Sequence, residues 1–326
     1  MTLEQDSVVV VTRTGERRSD PIDYRHVRRA MDSGRVVRIA RGSYALTEPW
    51  GALRPIERHR QRVHEAMSRL QGQVVFSHFA AAAIHDIDVL GQWPQSVDVR
   101  VARANGGRST GLIRRRSMGT DEAETEQWNE HFVTSAAQTA MDLAAVLPFT
   151  LGVVVIDQVL WWRREGGALA TKDELHAILE NGSIRRGLVK AQRTLEFGTH
   201  LSDSVRESHS RVLIHRLGFP PPLLQHPIRL LDGTLVHPDF YWEHEDHAGE
   251  FDGVGKYLDP ALLAGRNAEQ ALIAEKDRAD ALRRVVSGAS RWRTPALRRP
   301  RELYDILTAD GMRSARPRPS AGFRPW

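Results

Sequence analysis

The order of turns and breakers between Ser204 and Thr294 leaves this stretch little conformational freedom. Ser204 to Leu217 reads as a helix, closed by Gly218 and by Pro220-Pro221-Pro222, because proline has no amide with which to continue a helix. A strand is expected at 227–231, and the Asp232-Gly233 pair marks a hairpin turn. A second strand covers Leu235 to Trp242 and a third Gly249 to Val254. A long helix spans about 269–286, and Ser290 to Thr294 forms a last strand. The pattern predicts helices and strands in one domain over 201–308, and an α/β chain (α+β overall).

Carboxylates concentrate on these strands. Asp239 falls late on one hairpin strand, in His237-Pro238-Asp239. Glu250 and Asp252 lie two apart on the next strand, so their side chains share a face. Clustered carboxylates repel unless a cation neutralises them. A hard ion such as Mg2+ or Mn2+ would do so, and would hold a phosphodiester while lowering the pKa of an attacking water. Asp239, Glu250 and Asp252 are therefore the candidate metal ligands. In metal-free buffer, Glu250→Gln is expected to be neutral or stabilising. Lys256, downstream of Gly253 and Gly255, is the candidate for offsetting charge on the phosphoryl oxygens. Lys276 is the second choice. Acidic residues at strand ends are commonly just solvated, and His226, His237, His244 and His247 lack ligand spacing and read as structural or solvated.

Glu207-Ser208-His209-Ser210-Arg211, Gly218-Phe219-Pro220, Gln225, Pro238-Asp239-Phe240, Gly249-Glu250-Phe251-Asp252-Gly253, Lys256-Tyr257 and Glu275-Lys276-Asp277-Arg278 together resemble the very-short-patch-repair-like endonuclease family of the PD-(D/E)xK superfamily. The resemblance covers about a third of the chain. It implies a restriction-endonuclease-like mixed sheet flanked by helices, that Asp239 and Glu250 bind metal, and that Glu207 completes the acidic, catalytic set, unless Glu207 serves only its own helix terminus. One departure stands out: the superfamily places lysine two residues after the second acid, where this sequence has Asp252. Either a lysine has migrated or the fold has kept binding and lost catalysis.

The other end of the chain is basic. Residues 12–42 carry nine arginines against four acids. Tyr24, Val27 and Met31 recur at helical spacing after Asp20-Pro21, and Gly34 ends the run. Val36–Ile39 and Ser43–Leu46 read as a hairpin. Arg35, Arg38 and Arg41 recur along it as candidate DNA-binding residues. On charge alone a solvated face explains them, since nearly all positive charge in the chain is arginine and only Lys172, Lys190, Lys256 and Lys276 are lysine. The run Gly34 to Ala45, with Ser77-His78, Ala80-Ala81-Ala82, Thr134-Ser135-Ala136 and Asp142-Leu143-Ala144, resembles the winged-helix antitoxins of type IV abortive-infection toxin–antitoxin systems. That resemblance implies an operator-binding module.

The organisation expected is therefore a winged-helix-like module at 1–50, a mixed α/β domain at 51–165, a helical connector at 166–200, the endonuclease-like domain at 201–308 and a disordered basic tail at 309–326. Val97 to Val101 alternates as a half-buried strand should. With 326 residues, no cysteine and no apolar run near the roughly 20 residues a bilayer requires, disulfides, thiol nucleophiles and membrane spans are excluded. The acidic opening residues, with only four consecutive valines, do not read as a signal peptide, so a cytoplasmic setting is expected. Net charge of +5 suits a nucleic-acid partner. The leading reading is a metal-dependent DNA endonuclease or nickase, in phage defence or repair. The alternative is a non-enzymatic, antitoxin-like regulator with an inactive nuclease fold. The partners implied are DNA, a cognate toxin or a repair protein, and a second copy of the chain as a homodimer, with no membrane.

Overall fold

A computed structural model of the chain describes residues 12–13, 24–102, 109, 111–118, 123–253 and 268–323; of 12, 13, 24 and 268–275 only the backbone path is considered. The chain forms two compact units, each discontinuous in sequence. One takes residues 1–147 and 169–196, the other 148–168 and 197–326. Helices and mixed sheets, with both parallel and antiparallel strands, make it an α/β mixed fold.

The first unit begins with β1 (Thr12–Arg13), α1 (Tyr24–Asp32), β2 (Val36–Ala40) and β3 (Ser43–Leu46). The helix-then-hairpin reading holds, and the strands form a small antiparallel sheet in the order β1-β3-β2. Asp20-Pro21, expected to start the helix, lies outside the described residues. After α2 (Thr47–Ala52) and α3 (Pro55–Met67) come β4 (Val75–Phe76), α4 (His78–Ile84), β5 (Val97–Val101), β6 (Ile113–Ser117), β7 (Thr125–Trp128), β8 (His131–Thr134) and α5 (Ala136–Val146). A five-stranded mixed sheet results, in the order β6-β5-β4-β8-β7.

β5 is not half-buried as its alternation predicts. Its polar face is buried too, because each charge there has a partner. Asp98 accepts from Arg114 and Arg116, and Arg100 donates to Asp142 at 2.8 Å. Paired charges lose the penalty that otherwise keeps them at the surface.

The second unit starts with α6 (Phe149–Leu160), and the chain then returns α7 (Lys172–Glu180) to the first unit. The two units divide at 147 and 168 and again at 196, rather than at the boundary expected near 165 and the helical connector expected over 166–200. α6 belongs with the C-terminal strands because Asp157, fully buried, accepts two hydrogen bonds from Arg211 Nη2 on a later helix, at 2.8 and 2.9 Å. α8 (Leu188–Phe197) leads to α9 (Val205–Leu217), which Ser204 caps by accepting from the Glu207 amide. Gly218, at φ +84°, closes it in the left-handed conformation that glycine adopts without strain.

β9 (Leu223–Leu224), β10 (Ile228–Arg229) and β11 (Leu235–Val236) follow, then β12 (Phe240–Trp242), β13 (His247–Phe251), α10 (Ala268–Arg283), β14 (Gly288–Trp292), α11 (Thr294–Arg298) and α12 (Pro300–Ala309). The strand expected over 235–242 is broken at His237-Pro238-Asp239 into β11 and β12, which belong to different sheets. Pro238 has no amide to donate to a ladder. β10 and β11 flank the Asp232-Gly233 turn as their own hairpin. The main sheet runs β14-β13-β12-β9, antiparallel except for the parallel β13-β14 pair. Gly249 permits the packing beneath it: a Cβ there would stand 2.9 Å from both Trp242 and Trp292.

The tail, expected to be disordered, is ordered through residue 323. Ser314 Oγ donates to Leu217 O at 2.7 Å and Arg316 Nη1 to Arg216 O at 3.0 Å, while Met312 is buried. Its side chains satisfy carbonyls left open at the end of α9, which a reading of composition does not detect.

Candidate functional site

The expected acids come together at the edge where β12, β13 and α9 meet, but not as a bare carboxylate cluster. β12 and β13 pair with Phe240 opposite Gly249, so Asp239 and Glu250 fall at the next step of the same register. Asp239 Oδ2 accepts from the Phe251 amide at 2.8 Å, which ties the strand end to β13.

Glu250 is largely buried, and each of its oxygens already has a cation. Arg278 Nη2 of α10 donates to Oε1 at 2.8 Å, and Arg291 Nη2 of β14 to Oε2 at 2.9 Å. The parallel register explains the second contact, since Glu250 and Arg291 are direct partners. Two residues on, the motif repeats. Arg293, just past β14, donates from Nε and Nη2 to Asp252 Oδ2, at 2.9 and 2.6 Å. A small cavity beside Glu250 is lined by Leu282, Arg283, Ser290 and Arg291.

Glu207 is also buried. Its Oε2 accepts from the Asp203 amide at 2.9 Å and its Oε1 from Ser204 Oγ at 2.9 Å, so it locks the start of its own helix. Burial raises its pKa to about 8, and the nearby charge of Asp239 adds to the effect. The electrostatic influence of Asp239 makes the helix carboxylate and the strand carboxylate neighbours. Helix-terminal hydrogen bonding and proximity to the acids, posed as alternatives by the sequence, are both true of this residue.

The metal reading fits this arrangement poorly. Among the described residues, no three His, Asp or Glu side chains converge as a ligand set. The charge that would repel across β13 is already balanced by guanidinium groups on fixed elements. The expectation that Glu250→Gln is neutral or stabilising is therefore reversed, because that change removes the acceptor of two arginines. Lys256 lies outside the described residues. Lys276 is exposed on α10. The arginines were the residues missed. Arg291 and Arg293, on and just past β14, are spaced as Glu250 and Asp252 are on and just past β13, and that matched spacing was the available signal.

His247 is structural as expected. It is buried, and its Nε2 donates at 2.9 Å to Ser290 Oγ, which in turn donates to Asp310 Oδ2 at 2.7 Å. Burial lowers its pKa, so the ring is held neutral.

In the first unit, Arg35, Arg38 and Arg41 are all exposed, before, on and just after β2. Arg35 Nε donates to Ser33 Oγ and Arg38 Nε to Ala40 O. No ion pair with a carboxylate is formed by any of the three among the described residues. His78, beneath the main sheet of this unit, is fully buried at φ +52°. Its Nδ1 is 3.1 Å from Ser77 Oγ. Ser77 occupies the N-cap of α4 without making the side-chain hydrogen bond expected of a cap.

No family model matches the chain. It is similar to two uncharacterized proteins of Mycobacterium tuberculosis, one from strain CDC 1551 and one from strain H37Rv, each 25% identical over 167 residues. The match covers 51% of this chain and 59% of each relative, so the chain spans about three fifths of the relatives' length. Among the described residues, no helix is long and apolar enough to cross a membrane.

Proposed function

We propose that the chain is a DNA-binding protein of the antitoxin-like, regulatory kind, whose C-terminal unit keeps the frame of a PD-(D/E)xK nuclease without its catalytic charge arrangement. One observation carries this reading: Glu250 and Asp252 are neutralised by Arg278, Arg291 and Arg293, in pairs of 2.6–2.9 Å. An arginine fork is a fixed, permanently charged partner and does not yield its carboxylate as a hydrated lysine would. DNA contact belongs to the exposed hairpin arginines, which meet phosphates and fix orientation rather than read bases. The setting is cytoplasmic, with a cognate toxin as the functional partner and a homodimer as the binding form.

The second reading is a metal-dependent endonuclease using Mg2+ or Mn2+. The observation favouring it is the raised pKa of Glu207 beside Asp239, since strongly perturbed carboxylates concentrate at functional sites. One experiment separates the two. The full chain is tested for gel-shift of duplex DNA and for plasmid cleavage with Mg2+, with Mn2+ and with EDTA. Binding in all three buffers and cleavage in none is the expected outcome. Metal-dependent nicking that disappears in Asp239→Ala transfers the conclusion to the nuclease.

A further inference from the structure

Just past the end of α6, Trp161-Trp162-Arg163-Arg164 sets two indoles beside two guanidinium groups. Trp162 keeps 54% of its area exposed. The guanidinium of Arg163 lies over its ring, 5.3 Å from the centroid. Asp203 fixes this geometry with both oxygens: Oδ2 accepts from Arg163 Nη1 at 2.5 Å and Oδ1 from Trp161 Nε1 at 2.9 Å. Arg164 lies over Trp161 at 6.0 Å and donates to Gln158 O at 3.3 Å. The exposed ring is therefore backed by a cation that is itself tied down. Such a surface is ordered before any ligand arrives, so binding does not bear the cost of ordering it.

The platform also has a defined neighbourhood. The amide of Asp203 donates to Glu207 Oε2, so one residue joins the indole platform to the carboxylates of Glu207 and Asp239. A flat, open indole beside arginines suits a flat ring attached to an anion. Nucleobases stack on aromatic side chains, and a guanidinium group beside the ring adds cation–π attraction. Within a duplex, base faces are hidden by their own stacking, so the occupant has to be unpaired.

We propose that Trp162, backed by Arg163, is a stacking platform for an unpaired nucleobase of single-stranded DNA, separate in role from the hairpin arginines. The proposal rests on the nucleic-acid partner of the preceding reading and gives the C-terminal unit its own ligand. It holds whether or not that unit cleaves.

The test measures fluorescence anisotropy of a labelled dT oligomer and of a labelled duplex, using the full chain. Trp162→Ala is expected to weaken dT binding about ten- to a hundredfold, the usual effect of removing one stacking aromatic. Trp162→Phe should stay within a few-fold of wild type, and duplex binding should not change in either variant. The triple variant Arg35→Ala, Arg38→Ala, Arg41→Ala should behave oppositely, losing duplex affinity and keeping dT affinity. Wild-type dT affinity in Trp162→Ala, or a wild type that does not bind the oligomer, overturns the platform. A Trp162-dependent dT affinity without duplex binding by any variant supports the platform and overturns the hairpin reading instead. Melting temperatures of both Trp162 variants, unchanged because the residue is exposed, show that the fold is intact.

Discussion

Arginine serves two opposite purposes in the two units. On the hairpin of the first unit, Arg35, Arg38 and Arg41 project into solvent without carboxylate partners among the described residues. In the second unit, Arg278, Arg291 and Arg293 are engaged by Glu250 and Asp252. Basic composition is the same signal in both places, but only the first set presents uncompensated charge to a polyanion. Local pairing, rather than arginine count, separates a basic segment that is free of carboxylates from one that is already neutralised.

The largest expected effect tests the engaged set. Glu250→Ala leaves two partly buried guanidinium groups without their acceptor. Breaking a buried pair on one side costs about 3–5 kcal/mol. Because Arg278 and Arg291 retain some exposure, a smaller loss of about 2–4 kcal/mol is expected from urea unfolding. A loss below about 0.5 kcal/mol, the range of ordinary surface substitutions, would mean that the pairs contribute nothing and that the two arginine sets are alike.

Next in size is the exposed set. The triple replacement of Arg35, Arg38 and Arg41 by alanine should weaken duplex binding, and the slope of log K against log salt should fall by about 0.9 for each phosphate that is no longer neutralised. Its unfolding free energy should stay within about 0.5 kcal/mol of wild type. An unchanged affinity and slope would return the hairpin to an ordinary solvated face.

The helix and hairpin of the first unit, α9 with its glycine stop, and the acid-bearing strand were legible in the sequence because each rests on local rules: alternation, helical spacing and turn chemistry. The sequence singled out Asp239, Glu250, Asp252 and Glu207, but among the described residues they do not converge as a ligand set. What escaped was non-local. The break at Pro238 divides one expected strand between two sheets. The partners of Glu250 lie 28 and 41 residues downstream, the first on α10 and the second brought opposite only once β14 aligns parallel to β13. The buried polar face of β5 was missed for the same reason, since Asp98 depends on arginines of a strand whose pairing the sequence does not state.

A smaller effect concerns Glu207. Its carboxyl titrates near 8 when folded and in the ordinary carboxylate range when unfolded, so the folded state holds the extra proton. The stability this provides is fully present below the unfolded pKa and is lost as pH rises through about 8. Glu207→Gln should flatten the decline in stability over that window, as followed by thermal melts at stepped pH. Parallel pH profiles for variant and wild type would show that burial and Asp239 do not perturb this carboxyl.

The smallest effect separates partly open from buried pairs. Arg293 is 65% exposed, so Arg293→Ala should cost no more than about 1 kcal/mol, and less in high salt. A loss matching that of Glu250→Ala would make the outer pair as important as the inner one.

The order of synthesis gives the ordered tail a further consequence. The carbonyls at the end of α9 receive hydrogen bonds from Ser314 and Arg316, 97 and 100 residues later. A ribosome releases α9 long before those partners exist, so until they emerge these two carbonyls lack the hydrogen bonds they have in the finished fold. The last step in completing the C-terminal unit therefore falls after residue 316 has left the exit tunnel, and a nascent chain stalled earlier would carry an unsealed helix end for cellular proteases to find.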